Sequence, residues 1–353
     1  MDAALQVLKD RIVAAHHART PLRIHGGGTK DFYGAEFKGE ALDTRSHAGI
    51  VEYEPSELVL TARCGTSLSE IAATLAKHGQ FLAFEPPSFA GDPTLGGIVA
   101  AGLSGPRRAQ VGAVRDFVLG TTLLTAEGEV LRFGGQVMKN VAGFDVSRLL
   151  CGSLGMLGLI TEVSIKVLPL PKEEITLRLA MSAAEALAAF GQWRGQPLPI
   201  SAGCWVDGVT TLRLSGAPAA LAAARTRIGG EPMAETDAAA WWDSLRNQEH
   251  PFFTNAPSLW RLSVPAITPL MAIPGPLAVE WNGALRWHAT DLPADEVRQL
   301  TTAAGGTALQ WRGAAVGDMF HPLSPVVLAI HRKLKDRFDP HGIFNPGRLV
   351  AGL

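Results

Sequence analysis

The first stretch of mixed apolar and polar residues at helical spacing runs from about Ala3 to Ala18 and predicts an amphipathic helix. Pro21 blocks its continuation, and Pro-Leu-Arg-Ile-His reads as a short strand that delivers the chain into Gly26-Gly27-Gly28-Thr29. A second helix opens at Ser67, three residues before Glu70 as a capping box requires; Leu68, Ile71, Ala72 and Leu75 share one face, and Gly79 stands where a cap belongs. A strand over Phe81 to Phe84 leads to Pro86-Pro87. From Phe84 to Gly120 the periodicity fades into Gly, Pro and small residues, and a loop of that length inside a domain usually serves a function. A hairpin follows, turning at Glu127-Gly128 and broken by Gly134-Gly135. Then come a short helix from Phe144 to Cys151 capped by Gly152, and a strand in clean alternation from Ile160 to Val167. Pro169 and Pro171 close this part and mark a boundary. Beyond it, strands over TLRLAM, GCWVDGVTTLRLSG and LAVEWNGALRWHA alternate with helices at Ala183 to Trp193, Pro218 to Ile228 and Ala294 to Ala304. That order predicts an antiparallel sheet with helices on one face. The Trp- and Pro-rich piece from Ala240 to Pro274 gives no clear element, and a helix from Ser324 to Phe338 ends the pattern.

Composition changes this picture in a few places. A chain of 353 residues suggests two domains. Charged residues make up 18%, below the usual quarter, which fits either a surface partly covered by a partner or an Ala- and Gly-rich chain. The net charge of −1, with no Lys/Arg run, gives a nucleic-acid partner no electrostatic support. Cys64, Cys151 and Cys204 are far apart and form no CxxC pair, which argues against a zinc or iron–sulfur site within the chain and fits a reducing compartment. The N-terminus lacks the pattern of a secretory signal, and no apolar run reaches membrane-helix length. A cytoplasmic location is expected, with any membrane contact only indirect, at the inner face through partners.

The chemistry concentrates in the glycines. A phosphate needs backbone N–H groups and no side chains in the way, and Gly-rich turns supply both, although any single pair of glycines reads as a plain turn. Neither GxGxxG after a strand nor GxxxxGK[ST] occurs, so the nucleotide patterns built on other folds are missing. Five pieces, HGGGT (25–29), PPSFAGDPTLGG (86–97), SGPRRAQVG (104–112), GSLGMLGLITEV (152–163) and FDPHGIFNPGR (338–348), occur in the order of the flavin domain of the vanillyl-alcohol-oxidase (PCMH) type. With MKNVAGFDVSRLLCGSLG and HRKLKDRFDPHGIFNPGRL added, nearly the whole chain resembles the family of FAD-binding subunits of bacterial glycolate oxidase (glycolate dehydrogenase).

The resemblance implies an α+β protein: a two-subdomain FAD-binding domain over 1–171, a smaller antiparallel-sheet α+β domain over 172–320, and a tail, 321–353, that returns to the FAD domain. It further implies that Gly26, Gly27, Gly28 and Thr29 line the pyrophosphate of a non-covalent FAD. Pro86, Pro87, Asp92, Thr94, Leu95, Gly96 and Gly97 would form the second loop, and Ser104, Gly105 and Gly112 would continue along the flavin. Gly152, Gly155, Gly158 and the backbone of Ile160 would hold the ribityl and adenine end, and Asn345 would come back from the tail. His25 precedes the glycines instead of standing among them and reads as a strand-end residue. No cysteine occupies the second loop.

The His-rich HxGDGNxH segment that active 2-hydroxyacid dehydrogenases of this family carry is missing. The corresponding region, Glu280 to Ala289, holds His288 alone, and one imidazole makes no metal site. Arg286 reads as a surface cation that could meet a carboxylate, His321, His331 and His341 as surface or capping histidines, and Trp241-Trp242 as core. No catalytic residue is assigned. The expectation is an FAD subunit of a complex that oxidises glycolate, a small 2-hydroxyacid, to glyoxylate. The partners would be a larger flavin subunit with the His-rich site and an iron–sulfur subunit that takes the electrons onward. A self-sufficient FAD-dependent alcohol or hydroxyacid oxidoreductase and a non-catalytic assembly subunit are the alternatives.

Overall fold

The computed structural model describes residues 2–36, 38–135, 145–313 and 319–353. It divides into two compact units: residues 1–103, 113–169 and 322–353 form the first, and 104–112 with 170–321 the second. The short piece 104–112, expected beside the flavin, therefore clusters with the second unit.

In the first unit the opening helix spans Ala3–Ala18. Asp2 caps it by accepting from the Leu5 N–H at 2.8 Å. Leu8, Ile12 and Ala15, spaced on one face, pack onto Leu22, Leu42, Leu124, Leu159, Ile343 and Phe344, so the two ends of the chain share one core. Leu22–His25 pairs in parallel with Glu40–Asp43. A five-stranded antiparallel sheet runs in the order Ile50–Glu54, Val59–Arg63, Leu159–Lys166, Val118–Leu124, Val130–Gly134. The hairpin and the alternating strand thus lie where the pattern puts them. The helix Leu68–Ala76 takes Ser67 as its cap, with the hydroxyl accepting from the Glu70 N–H. It ends before Gly79, which makes the following turn at φ +63°. Of the expected strand Phe81 to Phe84 only Phe81 pairs, in the short strand Gln80–Phe81 against Leu168–Pro169; Leu82, Ala83 and Phe84 are buried without a ladder. The helix expected from Phe144 is seen as Val146–Leu149; the whole of MKNVAGF, Phe144 included, lies outside the described residues.

The second unit is an eight-stranded antiparallel sheet in the order Glu231–Pro232, Glu173–Ala180, Val209–Gly216, Ile200–Val206, Leu277–Glu280, Leu285–His288, Leu259–Ser263, Thr307–Arg312. Leu177, Leu212 and Leu214 turn one face toward Phe190 and Leu221, from the helices Ala183–Arg194 and Pro218–Ile228. The intervening Thr176 and Arg213 turn the other way and meet Trp242 of the helix Glu235–Arg246. Its indole N–H donates to Thr176 Oγ1 at 3.0 Å, and the Arg213 guanidinium lies over its ring at 4.8 Å. Helices therefore cover both faces, not one. The second layer comes from the Trp-rich segment whose pattern gave no element, because its apolar residues are aromatic anchors and not a helical stripe.

Candidate functional site

The site is built where the first unit brings three loops together. The turn Gly26–Asp31 follows the strand Leu22–His25. Pro93 and Thr94 precede the helix Leu95–Ala101, and the C-terminal tail contributes Asn345 and Arg348. With Ile24, Gly97, Ala101 and Leu154 they line an open groove.

The glycines of the first loop have separate reasons. A Cβ on Gly26 would collide with the Thr94 side chain, and one on Gly27 with the Asp92 carbonyl. These two let the first loop lie directly against the second. Gly28 is different: its φ is +71° and a Cβ would meet nothing closer than the Asp31 carboxylate at 3.6 Å, so glycine serves the backbone turn there and leaves the surface bare. Gly96 packs against Cys64 in the same manner as Gly26 and Gly27, and its N–H donates to the Cys64 carbonyl at 2.8 Å.

The tail holds the groove in shape. Asn345 adopts a positive φ of 40°. Its Oδ1 accepts from the Ile24 N–H at 2.8 Å, and its Nδ2 donates to the Leu154 carbonyl at 2.6 Å. Arg348 donates to the carbonyls of Lys30, Asp31 and Tyr33 at 3.2, 3.0 and 3.0 Å. Both side chains thus fasten backbone. Beneath them, the buried Lys335 donates to the Met156 and Phe344 carbonyls and to Asp339 Oδ2, each within 2.8 Å. Asp339 accepts from the Ile343 and Phe344 N–H groups at 3.0 and 2.8 Å.

The groove offers what a phosphate-bearing cofactor needs. The Thr94 hydroxyl is buried, makes no cap to its helix, and has no hydrogen-bond partner among the described residues. Lys30 Nζ donates to the Pro87 carbonyl at 2.8 Å and to Thr29 Oγ1 at 3.1 Å, and burial pulls its pKa down to about 8. The Asp31 carboxylate is taken up by Arg23 at 3.5 Å.

Of the residues singled out from sequence, Gly26, Gly27, Gly28, Thr29, Thr94, Gly97 and Asn345 come together here. Pro86 and Pro87 are buried nearby in the chain, with the Pro87 carbonyl on Lys30. Asp92 is turned to Ser69, accepting from its N–H at 3.1 Å and from its hydroxyl at 2.5 Å. Leu95 is fully buried. Gly155 touches the groove indirectly, since a Cβ there would meet Asn345 Nδ2, whereas one on Gly158 would meet Leu123. Ile160 sits in its strand opposite Leu123, and Gly152 lines a separate apolar hollow with Met156 and Leu334. Ser104, Gly105 and Gly112 belong to the second unit, where the Gly105 carbonyl accepts from the buried Trp281 indole at 3.1 Å. Lys30, Leu154 and Arg348 were missed. Lys30 and Arg348 were already present in the quoted stretches or next to them, HGGGT-Lys and NPG-Arg, but nothing in the pattern says that they face one groove.

Two readings in the second unit change. Arg286 is not a surface cation: it is fully buried and spends its guanidinium on the carbonyls of Gly283, Pro269 and Thr268. His288 is buried next to it, with neither ring nitrogen partnered among the described residues. Trp242 is buried, Trp241 only partly. No group of three or more His, Cys, Asp or Glu suited to a metal ion occurs among the described residues. Nor is any described helix long and apolar enough to cross a membrane.

Residues 5–134 match the family model of an FAD binding domain. The chain is 45% identical over 348 residues to the glycolate oxidase subunit GlcE of Escherichia coli, covering 99% of this chain and 98% of that one. It is 32% identical over 139 residues to the glycolate oxidase subunit GlcD of Bacillus subtilis, and 34% over 128 residues to a D-lactate dehydrogenase of Anaerostipes hadrus. Those two matches cover 39% and 36% of this chain but only 29% and 26% of the relatives. Among solved structures, an alkyldihydroxyacetonephosphate synthase superposes with a TM-score of 0.67 at 17% identity, over 96% of this chain and 75% of that one, and so shares the fold. The α+β architecture, the groove framed by glycine loops and the full-length likeness agree: the chain is an FAD-dependent oxidoreductase that belongs to the PCMH-type flavoprotein family and, within it, to the family of the glycolate oxidase subunit GlcE.

Proposed function

We propose that this chain is the FAD-carrying subunit of a glycolate-oxidising dehydrogenase complex, and that it passes electrons from the oxidation of glycolate to glyoxylate toward an iron–sulfur partner. The observation that carries the reading is the likeness to a glycolate oxidase subunit over 99% of the chain. In this reading FAD, when bound, supplies an acceptor that takes two electrons together and releases them singly. The protein's own residues position it. Gly28, Thr29, the Thr94 hydroxyl and Gly97 face its phosphate-bearing part, while Asn345 and Arg348 hold the loops that do so. Gly152, Gly155, Gly158 and the backbone of Ile160 stay assigned to the ribityl and adenine end, and Ser104, Gly105 and Gly112 to the flavin's surroundings.

The flavin is held without a covalent bond. His25 stands before the glycines, and burial drives the Cys64 thiol up to about 12, so it stays protonated and unreactive. A larger flavin subunit carrying the His-rich segment would then remove the substrate's hydroxyl proton, and an iron–sulfur subunit would take the electrons. Attachment to a membrane, if the complex has any, would come through these partners.

The test is the visible spectrum of the purified chain, recorded anaerobically before and after glycolate. A flavin band that glycolate leaves unbleached is expected, with the flavin released into the supernatant by acid precipitation. Bleaching by the isolated chain would show that it oxidises the substrate alone. A chain that takes up no flavin would sink the reading.

A further inference from the structure

We infer that Lys30 is the cation that meets the FAD pyrophosphate, and that the same ammonium holds the second glycine loop against the first. The inference rests on the reading of the groove as the flavin site. An ammonium has three donors. Two are spent on neutral oxygens, the Pro87 carbonyl at 2.8 Å and Thr29 Oγ1 at 3.1 Å. The ring of Phe89 lies 5.3 Å from the nitrogen and shields it further. Among the described residues no carboxylate pairs with it: Asp31, the next residue, is held by Arg23 at 3.5 Å, and Asp92 is turned to Ser69. A half-buried ammonium without a counter-charge is costly to keep unless an anion completes it. Lys30 lines the same groove as Gly28 and the unpartnered Thr94 hydroxyl, so the cation and a hydroxyl donor flank the bare stretch of backbone where a phosphate would approach.

The other charged or titratable groups lining the groove are His25, Asp31 and Arg348. Arg348 ties its Nη2 to three carbonyls and so adds its charge to the groove while holding backbone, Asp31 pairs with Arg23, and Lys30 is the cation with a donor left for an anion. The two loops also meet where Gly26 lies against the Thr94 side chain and Gly27 against the Asp92 carbonyl, and the Lys30–Pro87 bond adds a hydrogen-bonded tie across them.

Titration of the flavin-free chain with FAD, followed by quenching of flavin fluorescence, tests this in the wild type, Lys30→Met and Lys30→Arg. Lys30→Met is expected to weaken FAD by about 10- to 100-fold, the loss of one charge-assisted contact, and Lys30→Arg to keep it within about threefold. From about pH 7 to about pH 9.5 the wild type should lose affinity as the ammonium deprotonates, while Lys30→Arg should stay level. His25, Asp31 and Arg348 are common to both proteins, so the difference between the two profiles belongs to residue 30. Lys30→Met binding FAD like the wild type overturns the inference. So do identical pH profiles for wild type and Lys30→Arg, and that comparison remains decisive if Lys30→Met fails to fold. A wild-type chain that shows no saturable FAD binding removes the flavin reading itself, and the inference with it.

Discussion

Gly26 and Gly27 show how a residue chosen for one reason can be held in place by another. Their missing side chains are filled by Thr94 and by the Asp92 carbonyl, so their first task is contact between protein loops. Gly26→Ala should destabilise the chain, and Thr94→Ala should recover part of that stability, because the collision is with that side chain. A double-mutant cycle read by thermal melting checks it, and additive effects would remove the explanation. Gly27→Ala meets backbone, which no neighbouring substitution relieves, and should cost more than Gly28→Ala, whose positive φ alone is strained by about 1–2 kcal/mol. His288 governs a different property. Burial, with the Arg286 charge adding to it, pulls its pKa from 6.5 down to about 4. Between those values the unfolded chain takes a proton that the folded chain refuses, so stability is complete above about pH 6.5 and drains away as pH falls toward 4. At about 1.4 kcal/mol per unit the effect is roughly 3 kcal/mol. His288→Leu should flatten the dependence of the melting temperature on pH over that window, and an unchanged slope would show that His288 is not its source.

Among the elements, the C-terminal helix Pro325–Phe338 shapes the groove from outside it, through the loop that follows. Its pattern shows an amphipathic helix with a basic end, and nothing marks Lys335 as buried. The helix brings Lys335 one turn before Asp339, and the pair closes over the Met156 and Phe344 carbonyls and the Ile343 and Phe344 N–H groups. That anchors Phe344 beside Leu22 and puts Asn345 within reach of Ile24. Removing one partner leaves the other charge buried. Asp339→Asn or Lys335→Met should therefore lower stability by about 3–5 kcal/mol, with the double substitution costing less than the sum. Denaturant titration measures this. Flavin affinity should fall in parallel, since Asn345 loses its footing.

At the scale of the whole molecule, one short piece departs from the order of a flavin domain, a second domain and a tail. Residues 104–112 join the second unit, where Arg107 pairs with Glu174 and donates to Ser215 at 3.1 Å. Glu174 is held in the charged form against its own burial by Arg107 and Ser215. Glu174→Gln should loosen this piece, and limited proteolysis should then cut near 104–112 faster than in the wild type. Cleavage at an unchanged rate would mean that the ion pair is not what holds the segment.

Much was legible from residues alone. The opening helix, the hairpin around Gly128, the alternating strand before Pro169 and the helix from Pro218 follow from period, caps and turn residues, which are local quantities. The glycine-rich loops likewise announce close backbone approach before any partner is known. What only the tertiary structure decided is the partner. Gly26 and Gly27 face protein, Gly28 and Thr94 face the groove, Arg286 is buried on carbonyls, and Lys30 is left with no carboxylate to pair with among the described residues. Those assignments depend on contacts between residues far apart in the chain, such as Asn345 with Ile24 and Lys30 with Pro87. A one-dimensional pattern carries which residues can bend, cap or bury themselves; burial and charge pairing are properties of the folded neighbourhood, and they exist only once the loops have met.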